Sequence, residues 1–182
     1  MANHAYAKTG NKLDVKELDA HIRKIVAEKL NGVFEVNYDA KEKTWLIHYP
    51  KDDYMGFLVW ISDEEEFGEM KRGEFVEYDK PKLISKNSVI EFRHGHTYQF
   101  MWWVEGVVRE NLGEIYGARM FDDGCEINPK PNPAKFETFE KFCDKIKGEG
   151  TIKGTKDWYL PDYQRKAIPK EVTEKLNLDF KI

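Results

Sequence analysis

Val15, Leu18, Ile22, Ile25, Val26 and Leu30 recur at intervals of three and four along LDVKELDAHIRKIVAEKLNG, the spacing of one buried helix face. Asp14 stands where a side-chain cap is needed, and Asn31-Gly32 supplies a left-handed stop. The period then shortens. VFEVNYD alternates, with Phe34, Val36 and Tyr38 or their neighbours on one side; KTWLIHYP follows; and GFLVWIS is apolar on both faces, as a central strand is. Turns at 39–42 and 50–55 join the three into an antiparallel meander, with the first helix expected on one face.

DEEEFGEMKRGEFVEYDKPKL is the most polar stretch, and its two glycines and one proline predict a turn and an edge strand around Glu74 to Tyr78. SVIEFRHG predicts another strand. Thr97 then caps a helix to about Asn111, closed by Gly113, and EIYGARMFDDG predicts a strand ending in a turn at Asp122-Asp123-Gly124. Within that helix Phe100, Trp103, Val104, Val107 and Val108 form the buried stripe, while Glu105, Arg109 and Glu110 are expected to face water. Met101 and Trp102 lie off the stripe, so the helix is either covered on two sides or presents a contact patch. Gly106 costs about 1 kcal/mol relative to Ala in mid-helix, which predicts close approach of another backbone element.

INPKPNPAK, with three prolines in nine residues, predicts a stiff connector. KFETFEKFCDKIKG places Phe136, Phe139, Phe142, Cys143 and Ile146 on one helix face; a turn-rich stretch to Pro169 follows, then a short last helix and an extended end. The expected fold is α+β, a mainly antiparallel sheet with two or three packed helices and a proline-rich C-terminal arm. Residues 1–127 would be the core, and 128–182 a helical or extended layer or arm of the same domain.

Composition adds limits. A chain of 182 residues, 41% hydrophobic and 14% aromatic, suits one domain with one substantial core. A net charge of −4 argues against a dedicated nucleic-acid binder. The acidic excess lies before residue 127; the remainder is slightly basic. Cys125 and Cys143 form neither a disulfide framework nor a zinc module, so reduced thiols are expected. MANHAYAKTG lacks the apolar run of a signal peptide, and no segment nears the roughly 18 apolar residues of a membrane span. A soluble, intracellular-type protein is expected, with both chain ends docked on the body or on neighbours.

Candidate chemistry is sparse. His94 and His96 would project to one side of a strand and could share a metal ion with Asp122 and Asp123, His48 and Glu126 being further ligand types. Gly95 and Thr97 mark the same place as a strand-to-helix turn, where alternation fails, and Asp-Asp-Gly is also what a tight turn demands. The run Glu64-Glu65-Glu66 reads first as a solvated face. Met101, Trp102, Trp158, Tyr159, Tyr163 and Arg165 are the candidate partner-binding residues, since Trp, Tyr and Arg carry much of the energy of protein contacts. No phosphate-cradling loop, dinucleotide fingerprint, nucleophile elbow or zinc-protease helix occurs, and no cofactor is expected.

MANHAYAKT, IEFRHGHTYQFMWW and YGARMFDDG resemble stretches of small uncharacterised proteins of tailed bacteriophages. The resemblance implies a virion component or accessory factor, in the virion or the host cytoplasm. A non-enzymatic protein-interaction protein is therefore expected, a structural or assembly component of a phage particle whose partners are other virion proteins or itself. The alternatives are a host-directed inhibitor, acting through the acidic 64–77 region, and a small metal-dependent hydrolase or nuclease.

Overall fold

The computed structural model describes residues 3–94, 99–122, 125–128, 130–142 and 168–178. Helix α1 (Val15–Lys29) begins where the Asp14 carboxylate accepts the amides of Lys16 and Glu17 at 2.9 and 3.0 Å, and ends where Asn31 and Gly32 turn left-handed. Its face of Leu18, Ile22, Ile25 and Val26 is buried. Asp19 fixes that face to the sheet: it accepts from the Trp45 indole (2.9 Å) and from Arg23, whose guanidinium also reaches the Val36 carbonyl. Burial alone would push the Asp19 carboxyl up, but these donors hold it below the usual carboxylate range.

Seven strands form one antiparallel sheet: β1 (Asn3–Lys8), β2 (Glu35–Asp39), β3 (Thr44–Tyr49), β4 (Asp52–Lys71), β5 (Glu74–His94), β6 (Arg119–Asp122) and β7 (Cys125–Asn128). Their order is β2-β3-β4-β5-β1-β6-β7. The expected α+β architecture is therefore present, with two unexpected strands, β1 and β7, the latter occupying Cys125–Asn128 where the connector was expected to begin. Asn3–Lys8 enters between β5 and β6, antiparallel to both. Its inward residues are Ala5 and Ala7, both buried, too small to register as a hydrophobic run yet suited to a strand beneath a closely packed helix. Since β1 separates them, β5 and β6 run parallel, and α2 (Gln99–Tyr116) is their crossover.

Helices α1 and α2 pack on one sheet face, over Trp45, Ile47, Phe57, Val59, Ile90 and Phe92. On the opposite face Leu46 and Leu58 remain exposed. Helix α2 runs past Gly113 and closes at Gly117, which adopts φ +58°. Glu105, Arg109 and Glu110, expected to face water, are buried or nearly so. Arg109 bridges the two carboxylates at 2.9 and 3.3 Å, and Glu110 accepts the Asn132 amide at 2.7 Å. The cause is the proline-rich connector, which folds back over α2 and forms a 3-10 turn at Pro133–Phe136. Gly106 answers the same layer: a methyl group there would lie 2.1 Å from the Phe136 ring. The close neighbour is thus an aromatic side chain, where a backbone element was expected.

The described residues beyond Asn128 fold inward. Phe136, Phe139, Phe142, Ile168, Val172 and Leu178 all belong to the core. Phe139 meets the rings of Phe100 and Trp103 edge-on at 5.7 and 5.6 Å, and the Trp103 indole donates to the Phe136 carbonyl at 3.1 Å. Helix α3 (Lys170–Lys175) is held at its flank by Glu171, which accepts from Lys51 (2.5 Å) and Tyr49 (3.2 Å). Asn31 donates to the Lys175 carbonyl.

Candidate docking surface

Strand β5 ends at His94, opposite Asn3, and β6 ends at Asp122, opposite Ala5, so the backbone brings both to one end of the sheet on either side of β1. His96 and Asp123 lie outside the described residues. Among the described residues no three of His, Cys, Asp and Glu stand close enough together to hold a metal ion. His48 is on β3, its Nε2 2.8 Å from the Asn37 amide nitrogen.

Of the candidate partner-binding residues, Met101 is 1% exposed and offers no surface. It and Trp102, which packs against the core, show that the second apolar side of α2 is covered by this chain. That removes Met101 as a contact residue. Trp158, Tyr159, Tyr163 and Arg165 lie outside the described residues.

A different surface emerges from β4 and β5. They are joined by a two-residue turn, Arg72 at φ +53° and Gly73 at φ +88°, closed by the pair Lys71–Glu74. Two positive φ values give the twist that a tight hairpin needs, and Gly takes the second without a Cβ penalty. Near the body the pair is flanked on both sides. Strand β3 covers β4 only as far as Trp60, and β1 covers β5 only as far as Val89. From Ile61 and Asn87 outward no third described strand joins, so residues 64–71 and 74–86 project as a two-stranded arm. At about 3.3 Å per residue its β4 limb reaches roughly 25 Å.

The arm's base is anchored. Glu64 accepts from Lys8 at 2.9 Å and from Ser85 at 3.0 Å, Lys12 pairs with Asp63, and the Ser88 hydroxyl accepts the Leu13 amide at 2.9 Å. The Lys8 ammonium holds the Glu64 carboxyl below its ordinary range. One member of the acidic run is therefore bound into the body.

Beyond the base the ladder is irregular, with register shifts after Asp63, Glu64 and Glu66. Four residues of β5, Tyr78 to Pro81, lie between the partners of Glu66 and Gly68. Such bulges bend and twist an edge. Val76, Leu83 and Ile84 on this limb are 40%, 50% and 53% exposed. Isolated two-stranded hairpins are marginal in water, so apolar side chains displayed on one are suited to being covered.

Sequence reasoning found the polar stretch and its edge strand but not that β4 and β5 outrun their neighbours. Strand length relative to flanking strands is a property of pairing and leaves no local signal. Geometry thus defines a two-layer α+β protein with a projecting hairpin. Among its described residues no helix is long and apolar enough to cross a membrane. Comparison found no matching family model, curated protein or solved structure.

Proposed function

We propose that this chain acts by binding protein, without chemistry of its own, as a structural or assembly component of a tailed-phage particle, and that the β4–β5 arm is its docking surface. The observation that carries the reading is the exposure of Val76, Leu83 and Ile84 on a two-stranded segment beyond the body of the sheet. Exposed apolar side chains rimmed by charge are the usual composition of a contact surface. The phage setting rests on the resemblance of MANHAYAKT, IEFRHGHTYQFMWW and YGARMFDDG.

The test places a photo-reactive amino acid at position 83 or 84 and examines purified particles by mass spectrometry. The chain is expected in the particles, crosslinked through the arm to a virion protein or to itself. A chain absent from particles, with no crosslink from either position, would overturn the reading.

A further inference from the structure

Along the outer limb of β5 the charges are sorted. Glu74, Glu77 and Asp79 lie toward the tip, and Lys80, Lys82 and Lys86 toward the base. All six are exposed and none has an ion-pair partner among the described residues. The exposed apolar residues follow the same division, with Val76 in the acidic half and Leu83 and Ile84 in the basic half. A strand acidic in one half and basic in the other is complementary to itself when reversed.

We propose that the occupant of the arm is a second copy of this chain, β5 against β5 and antiparallel, about a two-fold axis between Asp79 and Lys80. This rests on the docking role of the arm and names its partner. The pairing sets Glu77 against the partner's Lys82 and Val76 against the partner's Leu83, each contact occurring twice by symmetry.

The register of the hairpin supports this geometry. An antiparallel two-fold normal to a sheet keeps each side chain on its own face, so facing residues must already share a face. In an unbroken strand residues 77 and 82 would point to opposite faces. Here Glu77 lies opposite Gly68 and Lys82 opposite Glu66, two positions of like parity on β4, so the intervening bulge returns both to one face. Val76, opposite Glu69, and Leu83, opposite Glu65, share the other. The bulge that looks like a defect in the hairpin is what makes the strand self-complementary.

Pro81, within that bulge, has no amide hydrogen, so side chains carry the contact in place of a continuous ladder. The isologous arrangement closes at two copies, and the proline guards the edge against further strand addition. An edge contact of this length falls below the roughly 800 Å² per partner of a standard interface, so the dimer is weak, in the micromolar range.

Sedimentation velocity of the full chain, from low to high micromolar, tests the proposal. The parent protein is expected to dimerise, less so as salt rises. Glu77→Lys alone and Lys82→Glu alone each set like charges together and are expected to weaken association by about tenfold. An equimolar mixture of the two variants, and the double variant, restore opposite charges and are expected to associate like the parent. An unchanged melting temperature would accompany the Glu77→Lys result, because Glu77 lies opposite Gly68 and has no ion-pair partner among the described residues. A parent that stays monomeric, or single variants that dimerise as well as it does, would overturn the proposal. A monomeric parent that still crosslinks from position 83 to a different protein sinks self-pairing while leaving the docking role intact; absence of any association sinks both.

Discussion

At Gly106 the structure weighs two opposing effects of one methyl group. Ala would gain about 1 kcal/mol in helix propensity. It would also stand 2.1 Å from the Phe136 ring, which is buried and stacked on Phe142 at 5.2 Å. Overpacking of a filled core costs roughly 1–3 kcal/mol. Gly106→Ala is therefore expected to lower stability in urea titrations, and Phe136→Leu in the same chain to cost less than it does alone. Additive losses would show that the two sites do not meet.

The sequence signalled this position, since a mid-helix glycine asks for a neighbour, but the neighbour is 30 residues further along the chain. Glu105, Arg109 and Glu110 were misjudged for the same reason. Charge at helical spacing reads as a wet face, and only the connector that folds over α2 dries it. Glu105 is 2% exposed, and its charge is compatible with that burial through the Arg109 fork.

Among the elements, α1 and the central strands were legible because each carries its own period, cap or turn. Strand β1 was not, because Ala5 and Ala7 are small and its pairing partners are distant in sequence. Helix α3 shows how a short element is held. It has only six residues, too few to persist alone. Hydrogen bonds from Lys51 and then Lys175 pull the Glu171 carboxyl from its ordinary 4.5 down to about 2. A depressed acid stabilises the folded chain above its unfolded pKa, and that contribution is lost as pH falls from about 4.5 toward about 2. Glu171→Gln is accordingly expected to melt at a lower temperature than the parent at pH 7, with the gap closing across that acid window. A gap independent of pH would show that packing of Val172 alone holds the helix.

For the whole molecule, the segment beyond the prolines sets the outcome. The proline-rich stretch predicted a helical or extended layer or arm of the same domain there. Among the described residues Phe136, Phe139, Phe142, Ile168, Val172 and Leu178 join the core, and the segment that projects from the sheet is the β4–β5 hairpin. Loss of a buried Phe costs about 3–5 kcal/mol, and three such losses approach the 5–15 kcal/mol that holds a typical domain together. A chain ended after Asn128 is expected to show no cooperative thermal transition by circular dichroism. A sharp transition in the shortened form would mean that the sheet and its first two helices suffice.

The amino-acid sequence by itself determined the local elements: the amphipathic face of α1, the alternation of β2 and β3, the glycine-bearing hairpin turn and the aromatic supply of the core. It also determined the sorted charges of β5. Tertiary structure decided which strand lies beside which, that Asn3–Lys8 belongs in the middle of the sheet, and that α2 is covered on a second side. It also decided that a bulge puts Glu77 and Lys82 on one face. The physical reason is one of range. Periods, caps and turns arise from neighbours within a few residues, whereas burial and strand partnership depend on contacts between segments far apart along the chain.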